Sequence, residues 1–384
     1  YMAERTRTKM GSYRPYIYYG SIPLALSFVL LFWVPPLEGT LLFSFLLIVN
    51  LFHRTCFTIV SVPYSSLTAR ITDDSDERTK LTTARMLGAS FGTLTISALG
   101  FPIVLFFGGG EESLGFVFLG LIAGSAAICV LAITIFFVKE RSFEFKSEDL
   151  PSFKKISQSV ANNYPFWIVF SSILILVSTS LMFNNNLIYF VKYSLDLHEY
   201  QGLVLGVSGA SSFLAIPFWA YAALKIGKKN SWLIAMVFLL IGFMVFYLYP
   251  IATLSELLII LAVIGIGNGA TGILFWSMLP DTIEYGEWKT GIRTESSLYG
   301  FMTFAQKGAI ALAALTLGIV LTNIGFEPNQ VQSNKTLKGL KLIMTLIPFA
   351  GVLISLILVY FYPIDKAFHQ KLIRDIEDRK LTYG

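Results

Sequence analysis

Charged and hydroxyl-bearing side chains recur at helical spacing inside a stretch that is otherwise apolar. Four of them follow at i, i+4, i+7 and i+11, so they share one helix face: Arg54, Thr58, Ser61 and Ser65. An arginine at mid-membrane costs about 2.5–3.5 kcal/mol, so it needs an anion or water nearby. This face favours a water-filled cavity that binds a polar solute. The alternative is close helix packing, with the hydroxyls bonded to their own helix and Arg54 tying two helices together.

A second polar face lies near the other end of the chain. Its members are Ser296, Gly300, Thr303 and Lys307. The Lys307 ammonium should face a protein interior or a watery cavity rather than lipid. The alternative is a structural salt bridge to a helix that is expected to precede Tyr1.

Charges concentrate in two stretches, 64–85 and 276–307, which share the layout of an apolar run, a short charged loop and a second apolar run. At the cytoplasmic ends of helices, such charges could form ion pairs that close the inner mouth of a cavity. Ordinary solvated loop charges are the alternative. The residues predicted to form this gate are Asp73, Asp76, Arg78, Asp281, Glu284 and Arg293.

Composition excludes an ordinary water-soluble protein. Hydrophobic residues make up 55% of the 384-residue chain, charged residues make up only 14%, and the mean hydropathy is +0.67. Such a chain is an all-α membrane protein with several spans. The net charge of +5 does not indicate nucleic-acid binding, because the basic residues fall mainly in alternate loops. No zinc spacing, phosphate-binding loop or catalytic nucleophile motif occurs, so we expect neither an enzyme nor a bound cofactor or structural metal.

Ten apolar segments are long enough to span a bilayer. They fall at about 16–35, 40–67, 83–107, 116–138, 165–190, 200–224, 231–250, 253–279, 296–322 and 338–361. Basic loops face the cytoplasm, so both ends of this chain are expected on that side.

The spans that begin at 16, 40 and 83 recur 212 to 215 residues later, which indicates a parallel internal repeat. That arrangement is typical of the major facilitator fold. The second half has two helices before the repeated point, so ten of twelve transmembrane helices are expected here, with the first two preceding Tyr1. The predicted domains are 1–138 with helices 3–6, a cytoplasmic linker at 139–164, a six-helix bundle at 165–362 and a cytoplasmic tail at 363–384.

Four segments carry a resemblance to a known family. They read RTRTKMGSYRP at 5–15, DDSDERTKLTTAR at 73–85, DTIEYGEWKTGIR at 281–293 and FAQKG at 304–308. They resemble the glycoside-pentoside-hexuronide:cation symporter family of the major facilitator superfamily. The resemblance implies that Thr58 matches a cation-site threonine, Arg85 a sugar-side arginine and Lys307 a lysine near the substrate cavity. Ser61 and Ser65 stand where a family member has an aspartate and a tryptophan, which departs from its galactoside-binding pattern.

The predicted sites follow from the polar faces and the resemblance together. Substrate binding is assigned to Arg54, Ser61, Ser65, Arg85, Trp276, Thr303 and Lys307, with Trp276 offering an aromatic face to a sugar ring. Cation binding is assigned to Thr58, and the main cation-binding acids are expected before Tyr1. The amides at 184–186 could bind sugar hydroxyls, or they could cap or kink their helix.

The expected function is secondary active transport of a sugar, glycoside or hexuronide with Na⁺ or H⁺, by alternating access. The resemblance implies a monomer in the lipid bilayer of a bacterial inner membrane. Two alternatives stay open: a carrier of lysolipid or another non-sugar solute with the same fold, and a membrane sensor that transports nothing.

Overall fold

The computed structural model describes residues 6, 8, 10–72, 74–138, 153–327 and 330–383, and this part of the chain is almost entirely helical. The helices are α1 (Arg14–Phe32), α2 (Gly39–Ile71), α3 (Ser75–Gly108), α4 (Glu112–Phe137), α5 (Phe153–Ala161), α6 (Tyr164–Tyr193), α7 (Gln201–Ile226), α8 (Lys228–Leu248), α9 (Leu254–Thr290), α10 (Glu295–Asn323), α11 (Asn334–Tyr360) and α12 (Lys366–Tyr383).

Among the described residues, nine helices are long and apolar enough to cross a membrane, and a bent pair within α3 raises this number to ten. The bend of 43° falls between Ile96 and Leu99. Pro102 follows it, and proline removes the hydrogen bond to the carbonyl four residues earlier, which accounts for a bend here. Each of the ten apolar segments predicted from the sequence is therefore helical.

The helix ends differ from the prediction where charges are dense. Helix α9 continues through Asp281, Glu284 and Glu287 to Thr290, so the charged loop expected there is wrong. The helix ends at Gly291, whose φ of +71° is the left-handed conformation that glycine adopts without strain. The charges did not end the helix because ion pairs satisfy them in its last turns. Only a short connection remains before α10.

The N-terminal end of α3 shows the same pattern. Asp76 and Glu77 lie in its first turn, where the helix dipole favours carboxylates, and Arg78 follows within the helix rather than in a loop. Asp73 lies outside the described residues.

The chain forms two compact units. Unit 1 comprises the described residues of Tyr1–Asp74, Gly88–Lys154 and Glu295–Gly300, and unit 2 those of Ser75–Leu87, Lys155–Thr294 and Phe301–Gly384. The domain boundaries expected from the sequence stay a prediction.

Unit 1 is built around α1, which packs against α2 and α4. Its core is a cluster of buried apolar side chains: Tyr13, Ile17, Val60, Leu67 and Ile135. Small residues allow the close contacts, because a Cβ added at Gly124 would lie 3.4 Å from the Cβ of Ala25. The polar face at Arg54–Ser65 is carried by α2 in this unit.

Unit 2 is built around α9, which packs against α7 and α8, and α11 packs against α6 and α8. The indole of Trp219 on α7 donates a 2.8 Å hydrogen bond to the carbonyl of Ile266 on α9. Trp232 on α8 donates similarly to the hydroxyl of Ser355 on α11, at 3.2 Å. These buried donors fix the mutual register of the helices that carry most of the candidate site.

Two helices without a membrane-spanning apolar run also dock on unit 2. Asn163, next to α5, donates 2.7 Å to the carbonyl of Thr282 and caps α6 by accepting from the Phe166 amide. Helix α12 buries Leu372 and Ile376, and Trp288 of α9 donates to Asp375 at 3.1 Å. The C-terminal segment is thus a docked helix that reaches the charged end of α9.

Candidate functional site

The polar face on α2 keeps the helical alignment expected from its spacing. Arg54 is exposed and donates from Nε to the Asn50 side chain at 2.9 Å. The Thr58 hydroxyl donates to the carbonyl of Arg54 at 2.8 Å, within its own helix. Among the described residues, the buried hydroxyl of Ser61 has no hydrogen-bond partner. The assignment of these residues to substrate or cation stays a prediction.

In unit 2 the structure brings together two predicted residues that are far apart in the sequence. The guanidinium carbon of Arg85 lies 4.5 Å from the centroid of the Trp276 ring. A cation over an indole face is attracted by the ring quadrupole. Arg85 comes from the unit 2 part of α3 and Trp276 from the middle of α9, so two helices build this stack. Both side chains are half-buried, and together they offer a charged and an aromatic surface.

Thr303 and Lys307 are also in unit 2, four residues apart on one face of α10 and half-buried. They are the two members of the second polar face that belong to this unit. Ser296 and Gly300 fall in unit 1. The second face is therefore divided between the two units.

A buried group of five ionisable residues, which we call the charge cluster, gathers from four helices of unit 2: Arg78, Lys228, Asp281, Glu284 and His369. Arg78 is 0% exposed and forms an ion pair with Glu284, and its other nitrogen lies 3.8 Å from Asp281. Lys228 donates to both Asp281 oxygens at 2.8 Å. The carboxylates of Asp281 and Glu284 are thus shared between Arg78 and Lys228, and His369 is their third basic partner.

His369 completes the charge cluster from α12. Its Nε2 lies 2.5 Å from Glu284 and 3.6 Å from Asp281. Burial by itself would lower the pKa of His369, but the negative charges of Asp281 and Glu284 outweigh burial and raise that pKa above its usual value. Burial, and then the same two carboxylates, raise the pKa of the neighbouring Tyr362 phenol, which therefore stays protonated.

Two carboxylates and an imidazole of the cluster could suggest a metal site, because Asp281, Glu284 and His369 each offer a ligand atom within 4.8 Å of the others. Arg78 and Lys228 already occupy these carboxylates, and their charge would repel a metal cation. The arrangement suits ion pairing rather than metal binding.

Further ion pairs surround the charge cluster. Arg293 pairs with Glu287 at 2.8 Å and is nearly buried, whereas Lys366 pairs with Asp76 at 3.0 Å and both are about half exposed. Of the six residues predicted for gating, five therefore lie in or beside one network in unit 2.

The sequence interpretation missed two members of this network. These are Lys228 and His369, neither of which lies on the two polar faces or in the two charged stretches of the sequence. The signal for His369 is its spacing of i, i+3 and i+7 with Leu372 and Ile376, which places it on the buried face of an amphipathic helix.

A comparison of the sequence with known protein families identifies the family of this chain. Residues 1–366 match the family described as MFS/sugar transport protein. The chain belongs to this family. The match confirms the resemblance to glycoside-pentoside-hexuronide:cation symporters, and it confirms a transporter rather than an enzyme.

Individual relatives cover almost the whole chain. The transporter is 26% identical to the isoprimeverose transporter of Lactiplantibacillus pentosus, over 98% of this chain and 79% of that protein. It is 27% identical to a glucuronide carrier protein homolog of Escherichia coli (strain K12), over 99% and 83%. The crystal structure of FucP, a major facilitator superfamily transporter in the outward conformation, shares the fold, with a TM-score of 0.67 and 11% identity over 92% of this chain and 83% of FucP.

Proposed function

We propose that this transporter carries a sugar, a glycoside or a hexuronide together with Na⁺ or H⁺, by alternating access across a bacterial inner membrane. The family membership supports a sugar-like solute. Relatives with similar sequences are named for isoprimeverose and for a glucuronide, which supports this range of substrates. The functional unit is the monomer, with both ends of this chain in the cytoplasm.

The observation that carries the proposal is the stack of Arg85 on Trp276. A sugar ring has apolar C–H faces that pack on an indole, and oxygen atoms that accept hydrogen bonds from a guanidinium. Arg85 and Trp276 place both surfaces within 4.5 Å of each other. Arg54, Ser61, Ser65, Thr303 and Lys307 are proposed to add polar contacts to the substrate, and Thr58 is proposed to contact the cation.

The charge cluster is proposed to act in the gate at the cytoplasmic end, with Asp76 and Arg293 at its edge. The basic loops support that location. Buried charges are stable only while paired, so separation of these helices must be accompanied by entry of water. Such ion pairs would keep the cytoplasmic end closed in one state of the alternating-access cycle. When the helices separate and this end opens, water would solvate the charges, so no stable intermediate with unsolvated charges forms.

The test is uptake by the intact protein in liposomes, using radiolabelled isoprimeverose as the neutral probe and a methyl glucuronide as the anionic probe. We expect uptake of at least one of them, and we expect Arg85→Gln to reduce it by about tenfold or more, because a charge-assisted hydrogen bond contributes about 1.5–3 kcal/mol. Arg374→Gln is the matched control, since this arginine is exposed on α12.

If neither probe enters the liposomes and a lysolipid does, the sugar assignment is wrong. If a probe enters but Arg85→Gln matches Arg374→Gln, the sugar assignment stands and the location of the site is wrong.

A further inference from the structure

Unit 2 contains a cavity that is lined by Asn184, one of the three amides noted at 184–186, but by none of the residues assigned to substrate or cation binding. Its volume is about 390 Å³, within the range of small-molecule sites. Helices α6, α7 and α9 form its wall. The apolar part includes Ile173, Leu176, Val177 and Leu205, and the polar part comprises Ser180, Asn184, Ser208, Ser212, Asn268 and Thr271.

A close helix crossing builds this cavity. Gly265 and Gly269 are spaced as in a GxxxG motif on α9, and they face the backbone of α7. A Cβ added at Gly265 would lie 2.6 Å from the carbonyl oxygen of Ser208, and one added at Gly269 would lie 2.5 Å from that of Ser212. Glycine is needed at both positions because any side chain would overlap α7. This contact holds the two serines beside Asn268.

The polar groups in the cavity lack partners within the protein. Among the residues that the structure describes, no hydrogen bond is formed by the side chains of Ser180, Asn184, Ser208, Ser212 or Asn268. Ser208 is only 8% exposed. Thr271 donates its proton to the carbonyl of Asn268 at 2.8 Å, which leaves its oxygen free to accept. Ser208 is buried and the others are half-buried around the cavity, so water or a ligand inside it would supply their hydrogen-bond partners.

The chemistry of the lining restricts the ligand. None of the described residues that line the cavity is acidic or basic, so this lining offers no charge to select a charged ligand. A carboxamide offers a donor and an acceptor side by side, which matches two neighbouring hydroxyl groups, and a hydroxyl can serve either way. We propose that this cavity is a subsite for the uncharged, hydroxyl-rich ring of the substrate, with Asn184 and Asn268 as its specificity-determining side chains.

The proposal of this subsite rests on the proposed function. The subsite lies on the same face of α9 as Trp276, which forms the stack with Arg85. Asn268, Gly272 and Trp276 follow at i, i+4 and i+8, so they share one face of α9. At about 1.5 Å per residue, Asn268 and Trp276 are roughly 12 Å apart along the helix. That separation suits a two-ring glycoside, with one ring in the cavity and the other at the indole.

The first experiment compares Asn268→Leu and Asn184→Leu with Asn185→Leu in the liposome uptake assay, using radiolabelled isoprimeverose and a methyl glucuronide. Asn185 is the matched control, because it neighbours Asn184 but is exposed and does not line the cavity. We expect each cavity variant to raise KM by about fivefold to tenfold with little change in kcat, since a neutral hydrogen bond to the bound sugar is lost.

A second measurement tests the subsite without the leucine variants, in case these fold poorly. In a protein with Cys56 and Cys129 replaced, Ser212→Cys should react with N-ethylmaleimide, and the transported probe should slow this reaction at least severalfold. Absence of protection, or equal KM values for the two cavity variants and Asn185→Leu, overturns the subsite while leaving sugar transport intact. Failure of both probes to be transported overturns the proposed function and the subsite with it.

Discussion

Removal of the Glu284 carboxylate tests how strongly the charge cluster depends on its ion pairs. Glu284→Gln keeps the shape of the side chain but removes the charge that pairs with Arg78 and His369. Arg78, which is 0% exposed, would lose this carboxylate, and the carboxylate of Asp281 lies 3.8 Å away and already binds Lys228. Breaking a buried ion pair by removing one partner costs about 3–5 kcal/mol.

The expected effect on heat stability follows from the size of the chain. With an unfolding entropy of about 2.1 cal/mol/K per residue, that loss lowers Tm by about 4–6 °C. Thermal unfolding of the purified protein in detergent measures it, with Glu377→Gln on the exposed side of α12 as the control for the loss of one charge. Because the cost arises from the buried Arg78 charge that has lost the Glu284 carboxylate, the double variant Arg78→Gln/Glu284→Gln should regain at least half of the lost Tm. A Tm for Glu284→Gln equal to that of Glu377→Gln would refute this reasoning.

Two further predictions concern the tail and the helix crossing. The folded-state pKa of His369 is raised, so its stabilising charge is fully present below about pH 6.5 and is lost as the pH rises through the raised value. The Tm should therefore fall over that window in the unmodified protein but not in His369→Gln; parallel pH profiles would contradict this. Gly269→Ala should destabilise the protein by about 1–3 kcal/mol, because the new methyl group would overlap α7. Gly206→Ala, where the added Cβ meets nothing within 4 Å, is its control, and an equal Tm would show that the crossing tolerates a side chain.

The membrane spans could be predicted from the sequence because apolar length is a local property. All ten predicted segments are helical, yet the end of α9 was placed 11 residues too early, at 279 instead of Thr290. Charges after an apolar run usually mark a loop. Here Asp281 and Glu284 stay in the helix because three basic side chains neutralise them: Arg78, Lys228 and His369. These partners are distant in the chain, so no local sequence pattern predicts the ion pairs.

In the candidate site, too, residue types could be recognised from the sequence, whereas contacts between distant residues could not. Arg85 could be identified through the family resemblance and Trp276 through its aromatic ring, but their contact depends on the packing of α3 on α9. The serines of the unit 2 cavity could not be predicted as a site, because one hydroxyl per helical turn usually signifies close helix packing. Only the gap between α6, α7 and α9 shows that these hydroxyls lack partners there.

The central proposal is coupled sugar transport, and concentrative uptake tests it most directly. Liposomes that contain the intact protein are given isoprimeverose or a methyl glucuronide outside, with an inward Na⁺ gradient, an inward H⁺ gradient or neither. We predict that one gradient drives at least one probe to an internal concentration above the external one, and that an ionophore for that cation abolishes this accumulation. Equilibration without accumulation under both gradients would contradict cation coupling, and no entry of either probe would contradict sugar transport itself.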